Sequence, residues 1–150
     1  MDGGFVLVVD DDDDARILIA EIARLAGYKA VCVGSFLEAQ SALRAQPAAV
    51  LLDMVMPDQL CIRVAAFMAD EAPQLPTVLM SGSSADAIAA MRRKLAALGT
   101  NITALLLKPF WVDELLEAMA ATLPNASPET SFADADESGG EWQVSNGGSP

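Results

Sequence analysis

Short apolar runs alternate along this chain with longer stretches of helical periodicity. Phe5 to Val9 is apolar throughout and β-branched or aromatic except at Leu7, which predicts a buried first strand. Asp10 to Asp14 follow directly, and the later acids, Asp12 to Asp14, suit the amino end of a helix. Ile17, Leu18, Ile22 and Leu25 continue with helical spacing, and Gly27 supplies the stop. Lys29 to Val33 predicts a second strand, and Phe36 to Ala45 a second helix capped by Ser35, with Pro47 beyond its end.

Ala48 to Leu52 is a continuous apolar run, the pattern of a central parallel strand covered on both faces, and it delivers Asp53 to its carboxyl end. After Pro57 a third helix carries Ile62, Val64, Ala65, Phe67 and Met68 and ends before Pro73. Pro76 opens a strand, Thr77 to Met80, which gives way to the small-residue loop Ser81-Gly82-Ser83-Ser84. Ala85 to Leu98 reads as a helix closed by Gly99, Ile102 to Leu107 as a fifth strand running into Lys108-Pro109-Phe110, and Trp111 to Leu123 as the last helix. Five strands alternating with five helices, without a hairpin signal, predict an α/β domain over residues 5–123: a doubly wound, five-stranded parallel sheet of flavodoxin-like order between two helical layers.

At 150 residues and 53% hydrophobic, the chain can build one core without disulfides or metal staples. Cys32 and Cys61 lack ligand-like spacing and histidine is absent, which removes zinc sites, serine-histidine triads and a histidine phosphodonor within this chain. A net charge of -12 argues against nucleic acid, whose phosphates demand clustered Lys and Arg. No apolar run reaches membrane-span length and Met1 to Gly4 lacks the basic start of a secretory signal, so a cytoplasmic protein with no membrane contact is the expectation. Residues 124–150 combine five acids with no base and many Gly, Ser, Asn and Pro, the composition of a disordered acidic tail or linker, with Trp142 its one hydrophobic feature.

Laying the strands parallel collects Asp10 and Asp11, Asp53, Ser81 and Lys108 along one sheet edge. That edge, beyond the carboxyl ends of the strands, is where open α/β sheets bind ligands. Magnesium, a hard cation that takes oxygen ligands, suits Asp10, Asp11 and Asp53 together with the Val55 backbone carbonyl. Such an ion would shield incoming phosphate charge and prepare Asp53 to attack phosphorus, while Lys108 and the Ser81 hydroxyl hold the phosphoryl oxygens.

From Phe5 to about Leu123 the chain resembles a two-component response regulator receiver domain of the CheY-like kind. The resemblance rests on Val-Leu-Val-Val-Asp-Asp at 6 to 11, Asp53-Met54-Val55-Met56-Pro57, Ser81-Gly82 and Lys108-Pro109-Phe110, four motifs in family order, each after its own strand. It implies a phosphorelay switch in which Asp53 accepts a phosphoryl group from a histidine kinase or histidine phosphotransfer protein. Phosphorylation then biases the surface of the fourth helix, fifth strand and fifth helix toward a downstream protein target or a C-terminal output domain. It also implies a Lys108-Pro109 bond in the cis form, homodimerisation on phosphorylation as a family expectation, and enzymatic character limited to the domain's own phosphorylation and dephosphorylation.

Three positions depart from the family pattern. Leu60-Cys61 stands where an Asp-Gly pair is common, Leu105 stands where many members carry a rotating Tyr or Phe, and the segment from Ser81 to Lys108 is longer, implying an extended fourth helix. Two other readings compete with the phosphorelay switch. One is a degenerate, phosphorylation-independent interaction module. The other is a haloacid-dehalogenase-like phosphatase with Asp10 as nucleophile, against which stand the missing cap domain and late acidic pair.

Overall fold

Parallel strands cannot be joined by tight turns, so each must be followed by a crossover, and here every crossover is a helix. The computed structural model describes residues 4–123. Its strands are β1 (Phe5–Val9), β2 (Lys29–Val33), β3 (Ala49–Asp53), β4 (Pro76–Ser81) and β5 (Asn101–Leu107). Its helices are α1 (Asp13–Leu25), α2 (Phe36–Arg44), α3 (Leu60–Glu71), α4 (Ala85–Leu98) and α5 (Val112–Thr122). The strands pair in parallel in the order β2-β1-β3-β4-β5, the expected flavodoxin-like arrangement. Strand order reverses beside β1 and β3, which brings the ends carrying Asp10 and Asp53 next to each other. The expected tail and Trp142 lie outside the described residues. Among those residues no helix is long and apolar enough to cross a membrane.

Alternation along the strands divides the core. Leu7, Val9, Val50, Leu52 and Leu79 face the layer formed by α2, α3 and α4, whereas Val6, Val8, Leu51, Val78 and Met80 face α1 and α5. All five residues of β3 are buried, Ala49 to Leu52 as their continuous apolar run requires, and burial of each large apolar side chain contributes about 1.5–3 kcal/mol. The edge strand β5 is only partly covered and carries a bulge: Thr77 pairs with Ile102 but Val78 with Ala104. That extra residue pairs Ser81 with Leu107, and Lys108 then donates its backbone N–H to the Ser81 carbonyl at 2.8 Å.

Local chemistry explains the helix ends. Asp12 caps α1 by accepting from the Asp14 N–H at 3.0 Å, Ser35 caps α2 and Ser84 caps α4, and Gly99 ends α4 in the left-handed conformation. At the start of α5, Glu114 reaches back to the Trp111 N–H at 2.7 Å.

The periodicity within α1 misleads. Of the apolar residues at helical spacing only Ile22 is buried, while Ile17, Leu18 and Leu25 are 62%, 56% and 67% exposed. The inward stripe is Ile19, Ala20, Ile22 and Ala23, because α1 must lie close to β1 and α5 and small residues permit that approach. On α5, Leu115 and Met119 are buried as expected and Leu116 is half-buried.

Candidate functional site

The carboxyl ends of β1, β3, β4 and β5 converge on one polar cluster. Asp10 continues β1 by one residue, its N–H donating to the Val33 carbonyl at 3.2 Å, and its side chain is fully buried. One carboxylate oxygen accepts from the Asp12 N–H at 3.0 Å and the other from Lys108 Nζ at 2.8 Å. Asp53, the last residue of β3, is 6% exposed and accepts from the Val55 N–H at 3.2 Å, while Lys108 Nζ stands 3.5 Å from its second oxygen. Asp11 is exposed at the mouth. Carboxylate oxygens of Asp10, Asp11 and Asp53 all lie within 4.8 Å of one another.

Like charges so close repel unless something absorbs them, and Lys108 balances only part of the cluster. Burial, joined by the neighbouring Asp10 carboxylate, lifts the Asp53 carboxyl from 3.8 to about 6 against the pull of the Val55 N–H and Lys108. For Lys108, burial favours the neutral amine, but contact with Asp10 and Asp53 overrides it and the ammonium pKa is raised. An all-oxygen acidic set with residual repulsion fits a hard divalent cation, which would neutralise the cluster better than one ammonium.

Ser81 is fully buried, and its Oγ accepts from the Ser83 N–H at 2.9 Å. The Lys108-Pro109 peptide is cis, as the resemblance implies. Val55 is exposed, and its N–H, on the same residue as the carbonyl assigned to a metal from sequence, orients the Asp53 carboxylate. The turn after Asp53 is built differently from its neighbours. Pro57–Gln59 is a single 3-10 turn in which Asp58 and Gln59, neither a glycine, both take positive φ, 60° and 55°. Leu60 and Cys61, which replace the common Asp-Gly pair, are buried at the start of α3. Burial, with Asp53 nearby, pushes the Cys61 thiol up to about 12.

One contact at the site has no counterpart in the motif reading. The Arg16 guanidinium folds back from α1, donating Nη1 to the Asp10 carbonyl at 2.6 Å and pairing through Nη2 with Asp13. Its only sequence signal is that Arg16 is the sole basic residue before Arg24 and stands two residues after the aspartate run ends at Asp14.

Residues 6–120 match the family model of the response regulator receiver domain. The chain is 29% identical over 119 residues to the probable transcriptional regulatory protein TcrX of Mycobacterium tuberculosis, a match covering 79% of this chain and 49% of that protein. It thus spans about half the length of that curated relative. Among solved structures it is similar to the receiver domain of NtrX from Brucella abortus, at 24% identity and a TM-score of 0.69 over 81% of this chain and 99% of the other. Vibrio cholerae CheY4 matches at 21% identity and a TM-score of 0.70, over 80% of this chain and 98% of its own. A response regulator receiver protein from Burkholderia phymatum matches at 29% identity and a TM-score of 0.68, over 83% and 98%. With a family match from the first strand into the last helix, on the fold those neighbours share, this chain belongs to the response regulator receiver domain family.

Proposed function

We propose that this domain is a magnesium-dependent phosphorylation switch in which Asp53 is the phosphoacceptor. Its donor is a phosphohistidine on a histidine kinase or a histidine phosphotransfer protein. The observation that carries the reading is the single cluster of Asp10, Asp11, Asp53 and Lys108 at the carboxyl edge of the sheet. In the transfer, the phosphorus-nitrogen bond of the donor breaks, a bond forms from an Asp53 carboxylate oxygen to phosphorus, and the leaving imidazole takes a proton. Asp10, Asp11, Asp53 and the Val55 carbonyl would hold magnesium, which would supply charge neutralisation between the acids and the phosphoryl group.

The chain's own groups do the rest. The Val55 N–H holds one Asp53 oxygen, leaving the second to attack. Lys108, already 3.5 Å from Asp53, pairs with a phosphoryl oxygen. The Ser81 hydroxyl, held through its lone pair by the Ser83 N–H, retains its proton to donate to the phosphoryl group. Because β4 ends in Ser81 and β5 runs into Lys108, drawing both toward a phosphoryl group biases the α4, β5 and α5 surface, the switch through which the domain addresses a downstream protein or an output domain. Position 105 is a half-buried leucine, so the proposed switch has no aromatic gate at that position. Catalysis extends only to the domain's own phosphorylation and dephosphorylation, in a cytoplasmic phosphorelay. Both Asp10 oxygens are engaged, at 3.0 Å by the Asp12 N–H and at 2.8 Å by Lys108, whereas one Asp53 oxygen has only the looser 3.5 Å contact with Lys108, which favours Asp53 over Asp10 as the nucleophile.

Intact mass after incubation with a small-molecule phosphodonor tests the reading. A gain of one phosphoryl group is expected in the wild type with magnesium, and none in Asp53→Asn. Equal gain in the variant would redirect the assignment to Asp10, and no gain in either, with magnesium bound, would favour a phosphorylation-independent interaction module.

A further inference from the structure

Pairing of β1 with β2 ends at Val9 and Val33, with the Asp10 N–H on the Val33 carbonyl as the last rung. The Asp10 carbonyl lies beyond it and receives a side-chain donor instead, Nη1 of Arg16 at 2.6 Å. This is a charge-assisted bond, stronger than an ordinary ladder bond. The guanidinium is also held by Asp13, and the Arg16 carbonyl accepts from Cys32 Sγ at 3.5 Å, so the arginine is tied at both ends. Its seat is open only because residue 34 is glycine. A Cβ on Gly34 would collide with Arg16 Nη1 and come within 3.4 Å of its Cζ. Yet Gly34 is not among the positive-φ residues, so its backbone tolerates an L side chain and the guanidinium is the only obstacle.

We infer that Arg16, seated in the Gly34 slot, is a positioning residue for the metal-binding carboxylates. The inference rests on the proposed metal site and deepens it. The peptide unit joining Asp10 to Asp11 is planar and carries the carbonyl that Arg16 holds. Fixing that carbonyl fixes the direction in which the chain leaves Asp10, and with it the placement of Asp11, whose exposed side chain has little packing to orient it. Metal sites depend on such supports, whose loss typically weakens affinity 10–100-fold.

The sign of the effect separates positioning from plain electrostatics. The Arg16 guanidinium is a cation seated on the backbone carbonyl of Asp10, beside the proposed cation site, so deleting it should tighten magnesium binding if charge alone matters. Positioning requires the opposite. Magnesium titration by calorimetry, with thermal unfolding as the control for folding, is therefore run on wild type, Arg16→Ala, Arg16→Lys and Gly34→Ala. The expected result is affinity weakened about tenfold in both Arg16→Ala and Gly34→Ala, with Arg16→Lys between them and wild type. Gly34→Ala is the sharper variant, since it displaces the guanidinium without changing any charge, and it carries the test if Arg16→Ala fails to fold. Unchanged or tighter binding in either alanine variant would overturn the inference and leave the metal site standing. A wild-type chain without saturable binding would overturn the metal site, and the inference with it.

Discussion

Two loops supply the carboxylates, and they are held by opposite means. The loop after β1 is a polar construction: Asp10 accepts from the Asp12 N–H, Asp12 from the Asp14 N–H, and Arg16 closes over the Asp10 carbonyl. The loop after β3 is held by its backbone and by burial. The Met54 N–H donates to the Met80 carbonyl at 2.9 Å, Leu60 and Cys61 sink into the core, and Asp58 and Gln59 bear the strain of positive φ in between. Lys108 joins them, 2.8 Å from Asp10 of the first and 3.5 Å from Asp53 of the second. A carboxylate set assembled from two independently built loops needs such a link, because neither loop by itself holds the other's acid.

Removing the link should have the largest effect. Lys108→Ala leaves Asp10 buried without its counter-ion, and a loss of about 3 kcal/mol is expected in metal-free chemical denaturation. Magnesium should restore more stability to this variant than to wild type, since the ion takes over the same acids; equal restoration would mean that Lys108 and the metal do not share the cluster.

The second loop is next. A carboxyl whose pKa is higher folded than unfolded holds its proton more tightly in the fold, so ionisation costs stability as pH rises from 3.8 to about 6. Asp53→Asn cannot ionise, and without metal it should exceed wild-type stability by roughly 2 to 3 kcal/mol at neutral pH. The advantage should shrink through that window and vanish below about pH 4. Unfolding curves of the two chains across pH check it, and a pH-independent difference would point to repacking instead.

The smallest effects compare the two modes of construction directly. Asp12→Ala removes a helix cap and should cost about 1 kcal/mol. Gln59→Gly relieves a left-handed residue at the expense of a freer unfolded chain and should gain about half a kcal/mol. Opposite signs in urea denaturation are the expected outcome; a loss in Gln59→Gly would show that its side chain, and not its backbone, matters to that turn.

Much of this was legible in the residues because it is local. Strand and helix limits fell within a residue or two of the expected positions where caps and punctuation mark them: Ser35, Ser84 and Gly99 act through bonds to neighbours in sequence. Asp53, Ser81 and Lys108 were legible as neighbours because each sits where an apolar run stops, and in a parallel sheet those stops share one edge. Asp58 and Gln59 carried no such mark, since positive φ at residues other than glycine is imposed by what surrounds them.

By itself, then, the chain determined its alternation of strands and helices and the residues delivered to the sheet's carboxyl edge, since periodicity and turn chemistry act over a few residues. Only the tertiary structure decided which stripe of α1 faces inward, because burial depends on the partner surface and not on the helix. Tertiary structure likewise buried Asp10 while leaving Asp11 exposed, gave Lys108 its shorter contact to Asp10, and turned Arg16 back into the space that Gly34 leaves open. Each of these contacts joins groups that the sequence separates and that only packing brings within reach.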